Sequence, residues 1–174
     1  MSRLRDITAA GLLLGLTGLL AAGLLAGVKH LTAERIAEAE RQARLRALAA
    51  VLPADGYDND PLADGIQVIA PAWLGSEGAL SVWRARRGDV PAQLVLELVA
   101  PDGYSGPIRL LLGVRPDGRV AGVRVTAHRE TPGLGDGIEA GRSDWIEGFR
   151  DRALGDPPAE RWTVRRAGGD FDAF

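Results

Sequence analysis

The chain starts with a long uncharged run and continues, after a charged stretch, with short apolar runs separated by turn residues. Residues Ile7–Val28 form 22 consecutive uncharged positions. At about 1.5 Å per helical residue this run is ~33 Å long, which matches the hydrocarbon core of a bilayer. A cleavable signal peptide is the alternative, because two arginines lie among the first six residues. Signal peptides have apolar cores of only about 7–15 residues, so the pattern favours a retained transmembrane anchor at 7–28.

The charges beside this run and the glycines within it bear on orientation and packing. Positive residues stand on both sides, and we expect residues 1–6 in the cytoplasm and the bulk of the chain outside. Gly11, Gly15 and Gly18 repeat at intervals of three and four, a spacing that lets membrane helices pack closely. The same spacing arises often in any span rich in Gly, Ala and Leu, so both interpretations stay open.

Residues 29–53 predict a linker helix between the anchor and a domain. The stretch is rich in Ala, Glu, Arg and Leu and has no glycine or proline before Pro53, a composition with high helix propensity. Pro53 is expected to end the helix, because a proline cannot continue it. The acidic residues between Pro53 and Asp64 lack the spacing of a calcium-binding EF-hand loop, so we expect this stretch to be a surface loop.

Five short apolar runs follow at the spacing of antiparallel strands. They are Ile66–Ala70, Ala79–Ala85, Ala92–Val99, Pro107–Val114 and Val120–Ala127. The Pro-Asp-Gly turn within Arg115–Arg119 predicts a hairpin between the last two. The pattern therefore predicts an α+β domain over 54–174, with a half-buried antiparallel sheet and flanking helices.

The chain changes character after the fifth run. A glycine-rich loop extends to about Gly141, Ser143–Arg150 predicts a short helix, and Trp162–Arg166 predicts a last strand. Ser143 is a suitable N-cap, and Trp145 would share one helix face with the aromatic residue four positions later. Core packing and a functional contact explain these aromatic residues equally well.

Composition and charge narrow the chemistry. The 174 residues contain no cysteine and two histidines, which excludes disulfides, cysteine-bound iron–sulfur clusters and a thiolate nucleophile. Few ligands remain for a metal ion, and we predict no metal site. The formal net charge of -2 offers no basic excess to neutralise phosphates, so we predict no nucleic-acid partner.

The segment His128–Gly137 has the most unusual chemistry. It holds three glycines in five positions together with His, Glu, Thr and Asp, so its backbone can approach a flat or phosphorylated ligand closely. It has neither the lysine of a phosphate-binding P-loop nor the spacing of a dinucleotide-binding loop. A plain turn and a ligand-binding loop are therefore equal alternatives. Hydrolysis by His128 and Glu130 is disfavoured, because no nucleophile accompanies them.

Several short motifs occur in a fixed order along the chain. They are YDN (Tyr57–Asn59), GYSGPI (Gly103–Ile108), GVRV (Gly122–Val125), HRETPGLGDGIE (His128–Glu139), SDWI (Ser143–Ile146) and GGDFDAF (Gly168–Phe174). On these motifs the chain resembles the G subunit of the Rnf electron-transport complex, a family related to the C subunit of the sodium-translocating NADH:quinone reductase. The likeness extends over nearly the whole chain, including the N-terminal anchor.

This resemblance implies a periplasmic FMN-binding domain that relays electrons within a complex that exchanges them between ferredoxin and NAD while moving ions. It also implies other membrane and peripheral subunits as partners, the bacterial inner membrane as location, and contact with the bilayer through residues 7–28. No catalytic acid or base is assigned, because electron transfer requires none. The residues implied to lie near FMN are Glu130, Thr131, Pro132, Gly133, Leu134, Gly135, Trp145 and Phe174.

In this family FMN is attached by a phosphoester to the last threonine of an S/T-G-A-T motif that follows the FDxF segment. No such motif occurs in the 174 residues. We therefore expect either a chain cut short before the attachment motif or a member that has lost its flavin. The second case defines the alternative function, a non-redox assembly subunit of the same kind of complex.

Overall fold

The computed structural model describes residues 2–52 and 56–172. Pro53, the expected helix end, and Phe174, one of the expected FMN neighbours, lie outside these residues. The chain divides into two compact units, Met1–Ala43 and Arg44–Phe174.

The N-terminal unit is formed by one long helix, α1, which runs over Ser2–Ala49 and extends into the second unit. Its stretch from Gly11 onward includes an 18-residue window with a mean hydropathy of 2.1, and none of that window is buried. Five glycines of this helix face open space, with no atom within 4 Å of an added Cβ. By length and composition α1 is a candidate membrane span, as the uncharged run predicts.

The second unit is built on one antiparallel sheet. Its strands are β1 (Gly65–Val68), β2 (Leu80–Arg87), β3 (Val90–Ala100), β4 (Ile108–Val114) and β5 (Val120–Ala127). They are hydrogen-bonded in sequence order, each antiparallel to the next. A single-turn helix, α2 (Pro71–Leu74), connects β1 to β2. The five apolar runs and the α+β class expected from the sequence are confirmed.

The expected β4–β5 hairpin forms, and a second tight connection joins β3 to β4. In the β4–β5 hairpin, Gly118 adopts φ +80° and its N–H donates to the Arg115 carbonyl at 2.9 Å. Between β3 and β4, the Gly106 N–H donates to the Gly103 carbonyl at 3.2 Å. Glycine supplies the positive φ that other residues avoid, so these local sequence signals fix the order of the strands.

One face of the sheet is covered by the C-terminal end of α1 and the residues that directly follow it. Leu48, Val51 and Leu52 are at most 4% exposed and pack against Ala85, Val95 and Leu111. Burial of one such aliphatic side chain is worth about 1.5–3 kcal/mol. The buried Gln93 amide donates to the Val51 carbonyl at 2.7 Å, which satisfies a backbone acceptor just beyond the helix.

The opposite face of the sheet is apolar as well. Strand residues alternate between the two faces, and the positions of β4 and β5 that alternate with the core residues carry Leu110, Leu112, Val123 and Val125. These side chains are partly exposed. The sheet therefore has apolar residues on both faces, whereas a half-buried sheet has a polar outer face. The sequence of β4 shows the reason, because it is an almost continuous apolar run.

The C-terminal part departs from two expectations. The expected helix Ser143–Arg150 is a shorter 3₁₀ helix, Trp145–Phe149; Gly148 weakens helix propensity within it. The expected strand Trp162–Arg166 is wrong: among the described residues it contributes one bridge, between Val164 and Phe171, followed by a 3₁₀ turn. Gly168 at φ +89° reverses the chain too early for a strand to extend.

The YDN motif has a structural role at the edge of β2. The Asn59 side chain donates to the Arg84 carbonyl at 2.9 Å and accepts the Arg86 N–H at 2.8 Å. These two residues flank the β-bulge between Ala85 and Arg86. The asparagine amide thus continues the hydrogen bonding along the β1-facing edge of β2 beyond Trp83, the last β2 residue that pairs with β1.

Candidate functional site

An apolar cleft of about 270 Å³ lies between the second face of the sheet and the 3₁₀ helices. Strand residues form its floor and helix residues form its other wall. The lining residues are Ala100, Ile108, Leu110, Leu112, Val123, Val125, Ile138, Trp145, Ile146 and Phe149. Ligand pockets typically measure about 300–1,000 Å³, so this cleft is large enough for part of a small organic molecule, such as a fused ring.

An aromatic cluster forms one end of this cleft. The Trp145 and Phe149 rings meet edge to face, with centroids 4.9 Å apart and planes at 80°. Phe149 in turn stacks on Phe171 at 4.8 Å and 16°, and Trp162 lies 5.2 Å from Phe171. Such aromatic pairs add about 0.5–1.5 kcal/mol beyond area burial. The cluster therefore fixes the C-terminal segment against the helix that lines the cleft.

A second cleft, polar and about 450 Å³ in volume, adjoins the first through Trp145. Its lining residues are Ser143, Asp144, Trp145, Gly148, Arg152, Arg165, Asp170, Phe171 and Asp172. The Trp145 indole N–H donates to the Asp172 carbonyl at 2.8 Å. One aromatic side chain thus borders an apolar space on one side and a space with arginines on the other.

The arginines of the polar cleft are held in defined positions. The Arg152 guanidinium lies 5.9 Å from the centroid of the Phe171 ring, within the range of a cation–π interaction. Arg165 pairs with Asp172 at 3.1 Å. Guanidinium groups can bind phosphate oxygens in bidentate fashion. The same lining also carries the carboxylates of Asp144, Asp170 and Asp172, so an anionic group here would depend on direct contact with the two arginines and not on the net charge of the cleft.

Glu130 joins the two glycine-containing motifs. Its Oε1 accepts the Ser105 N–H at 3.1 Å. A Cβ added to Gly103 would lie 2.9 Å from the same oxygen, and one added to Gly135 would lie 2.9 Å from the Glu130 Cβ. Both glycines are therefore required by the close approach of this side chain. The GYSG turn and the TPGLG loop form one surface because Glu130 lies between them.

The loop after Glu130 is a compact turn whose side chains face outward. The Thr131 carbonyl accepts the N–H groups of Leu134 at 3.1 Å and Gly135 at 2.9 Å. Gly133 has φ +77°, and its N–H donates to the buried Asp136 carboxylate at 2.9 Å. Leu134 is 77% exposed. The backbone is fixed from within, while the outer surface is open to a ligand.

The GYSG turn and the end of the glycine-rich loop both adjoin the apolar cleft. An added Cβ on Gly103 would lie 2.9 Å from the Ile108 side chain, and Ile108 lines the cleft. At the C-terminal end of the glycine-rich loop, the 3₁₀ helix Asp136–Ile138 places Ile138 in the same lining. The GYSG turn therefore borders the cleft through Ile108, and the glycine-rich loop borders it through Ile138 at its C-terminal end.

Glu147 ties the helix that lines the cleft to the edge of the sheet. Its carboxylate binds Arg150 at 2.9 Å and Arg124 of β5 at 2.6 Å. The hydrogen bond from Arg150 has the largest effect and lowers the pKa of Glu147. Burial raises this pKa by less, and Arg124 lowers it further, so the pKa lies below its ordinary value. Arg150 also donates to the Ala121 carbonyl. The helix position therefore depends on an ionised carboxylate.

The structure brings together most of the residues singled out in the sequence. Glu130, Thr131, Pro132, Gly133, Leu134 and Gly135 form one loop beside the cleft, and Trp145 lines it. Phe174 lies outside the described residues. Sequence reasoning missed the strand residues of the cleft and both arginines of the polar cleft. The alternate apolar positions of β4 and β5 could have identified the strand residues of the cleft. No pattern in the sequence marks the two arginines.

The chain matches known proteins over both of its parts. A family model for the RnfG N-terminal region matches residues 1–51, and one for the FMN-binding domain matches residues 103–174. The protein named as the G subunit of the ion-translocating oxidoreductase complex from Pseudomonas aeruginosa (strain UCBPP-PA14) is 48% identical over 170 residues, 98% of this chain and 79% of its own length.

Proteins of the same name from other bacteria match over a similar length. The one from Cereibacter sphaeroides (strain ATCC 17029) is 48% identical over 165 residues, 95% of this chain and 73% of its own length. The one from Shewanella amazonensis (strain SB2B) is 40% identical over 170 residues, 98% of this chain and 79% of its own length.

Proposed function

This chain belongs to the family of G subunits of ion-translocating oxidoreductase complexes, and from that premise we propose that it is a membrane-anchored FMN protein that relays electrons in an Rnf-type complex. One observation carries the proposal. The FMN-binding match at 103–174 contains the glycine-rich loop, the whole polar cleft and every residue of the apolar cleft except Ala100.

The chemistry of the two clefts fits FMN. The cofactor has a flat tricyclic ring, a polyol chain and a phosphate, so it needs an apolar slot beside a polar region. The apolar cleft, bordered by Trp145, would hold the ring, and Arg152 and Arg165 of the polar cleft would hold the anionic end. The outer surface of the loop at Thr131 and Leu134 would cover the ring edge.

The protein's own contribution is positioning and electrostatics, since bound FMN supplies the redox chemistry. The apolar side chains around the cleft exclude water from the ring. Trp145 orients it, because its indole is fixed by the hydrogen bond to the Asp172 carbonyl. No acid or base is required for transfer of an electron.

The wider setting follows from the same proposal. The relatives are named as one subunit of a complex, so the partners would be other membrane and peripheral subunits of an Rnf-type complex that couples ferredoxin and NAD to ion movement. The candidate span in α1 would anchor the chain in the inner membrane, with the sheet domain on the periplasmic side. The family resemblance implies a covalent phosphoester to FMN.

The direct test is to purify the protein, as expressed from its chromosomal gene, and to examine its flavin. We expect stoichiometric flavin in the native protein and a fluorescent band after denaturing electrophoresis, which separates covalent FMN from FMN that is merely bound. A native protein free of flavin would instead support the non-redox assembly role.

A matched pair of variants tests the assigned site. Trp145→Leu should lower the flavin content or shift the flavin absorption, because it removes the ring shared by the two clefts. Trp73→Leu serves as the control, since Trp73 in α2 is 84% exposed and lines neither cleft. Equal flavin content and equal spectra in both variants would contradict the site.

A further inference from the structure

His128 follows the last residue of β5 and lies at the start of the glycine-rich loop. Its side chain is only 14% exposed. Its Nδ1 accepts the backbone N–H of Glu130 at 3.1 Å, and its Nε2 lies 2.8 Å from Oε1 of Glu139. Both ring nitrogens are therefore engaged within the described structure.

These two contacts select one tautomer of the neutral ring. A backbone N–H can only donate, so Nδ1 must be the acceptor and carries no proton. In a neutral imidazole the proton then resides on Nε2, which donates it to the Glu139 carboxylate. The neutral ring of His128 thus matches both contacts as the Nε2–H tautomer. A proton on Nδ1 would oppose the Glu130 N–H and break the first contact.

The two partners stand at opposite ends of the loop. Glu130 begins the TPGLG turn, and its own carboxylate accepts the Ser105 N–H. Glu139 caps the 3₁₀ helix that ends the loop, with its N–H donating to the Asp136 carbonyl at 3.0 Å. The His128 ring therefore contacts both ends of the segment 129–138. It also holds the backbone of Glu130 in place, and the Glu130 side chain extends from there to the GYSG turn.

We propose that His128 is a positioning residue for the cofactor loop: as the Nε2–H tautomer it fixes the Glu130 peptide and, through Glu139, the far end of the loop. This inference rests on the proposed flavin function. His128 does not exchange protons with the cofactor in this role. It sets the loop surface that borders the apolar cleft, on which the environment of the flavin ring depends.

Two amide substitutions separate the contacts of His128. In His128→Asn the side-chain oxygen stands near the position of Nδ1 and can accept the Glu130 N–H. In His128→Gln the amide nitrogen stands near the position of Nε2, so it can donate to Glu139 but offers no acceptor at Nδ1. Arg129→Gln is the control, because Arg129 is an exposed neighbour outside both clefts.

The measurements are amide hydrogen exchange over residues 129–138 and the absorption and fluorescence spectra of the flavin, both on the full chain in its complex. We expect exchange about tenfold faster in His128→Gln than in the wild type, with a shifted flavin spectrum. His128→Asn should restore exchange and spectrum toward the wild type, and Arg129→Gln should change neither.

Each result decides a different point. Equal amide hydrogen exchange over residues 129–138 in His128→Gln and the wild type would show that His128 does not fix the loop. Faster exchange with an unchanged flavin spectrum would overturn its role toward the cofactor. A wild-type protein without flavin would overturn the proposed function, and the exchange contrast between Gln and Asn would still decide whether His128 fixes the loop.

Discussion

Glu130 has two structural tasks in one side chain. Its carboxylate accepts the Ser105 N–H, and its carbon atoms fill the space that Gly135 leaves open. A side chain larger than hydrogen at the facing glycines would displace it. The loop geometry therefore depends on residues that carry no chemistry of their own.

Gly103→Ala should destabilise the domain by about 1–3 kcal/mol, the usual cost of overpacking. The new methyl group would meet the Gly106 carbonyl oxygen, the Glu130 carboxylate and the Ile108 side chain. Thermal unfolding of the purified protein in detergent, followed by tryptophan fluorescence, measures the effect.

Gly141→Ala is the matched control for this prediction. An added Cβ at Gly141 meets no atom within 4 Å, and neither glycine adopts a positive φ. We expect its unfolding temperature to equal that of the wild type or to rise slightly, since alanine restricts the unfolded chain. Equal unfolding temperatures in the two variants would show that Gly103 is not tightly packed.

For single residues, the sequence predicts local turns better than it predicts hydrogen bonds between residues that are distant along the chain. The turn from Thr131 to Gly135 is local, so glycine and proline identify it directly. The hydrogen bond from the Ser105 N–H to the Glu130 carboxylate joins positions 25 residues apart, and no periodic pattern in the sequence predicts it. Whether the outward-facing loop residues contact FMN stays a prediction.

Among the elements, the strands were predictable because each pairs with its neighbour in sequence. A short turn between two apolar runs is enough to specify such a pairing. The C-terminal segment gave a false strand at Trp162–Arg166, because apolar residues there pack as an aromatic cluster. Trp162 and Phe171 contact each other across a glycine turn, which the alternation of polar and apolar residues does not encode.

The 3₁₀ helix that lines the cleft should loosen on acidification. The pKa of Glu147 lies below its ordinary value of 4.5, first through Arg150 and then through Arg124. A carboxylate with a lowered folded-state pKa stabilises the fold above its unfolded pKa, and this contribution is lost as the pH falls through the folded-state pKa. The stabilising effect of Glu147 is thus complete at neutral pH.

Glu147→Gln isolates this effect. The variant should be less stable than the wild type at neutral pH, and the difference should shrink as the pH falls below 4.5, where the wild-type carboxylate becomes protonated. Urea unfolding at a series of pH values measures the difference. A stability difference that stays constant from neutral pH to strongly acidic pH would show that the Arg124 and Arg150 contacts do not depend on the charge of Glu147.

In the molecule as a whole, the two faces of the sheet have separate uses. Leu48 at the end of α1, with Val51 and Leu52 just beyond it, fills one face, and the other face supplies the floor of the apolar cleft. The sequence predicted the helix and the strands but not this division. Assigning a face requires the register of each strand, and a shift of one residue would exchange the two faces.

The proposed orientation of the chain can be tested because it contains no cysteine. A single introduced thiol then reports its own location through labelling by a membrane-impermeant maleimide. Leu154 is 96% exposed in the sheet domain, so Leu154→Cys provides an accessible site there. Ser2→Cys marks the N-terminal end, and positive residues before a span favour the cytoplasmic side.

With the domain outside, Leu154→Cys should be labelled in intact spheroplasts and Ser2→Cys only after lysis. If the candidate span at 7–28 crosses the membrane once, the two positions lie on opposite sides of it, so the two thiols should behave oppositely. Labelling of Ser2→Cys alone in intact spheroplasts would reverse the orientation. Release of the labelled Leu154→Cys protein into the soluble fraction, with a shortened N-terminus, would identify the apolar run as a cleaved signal peptide.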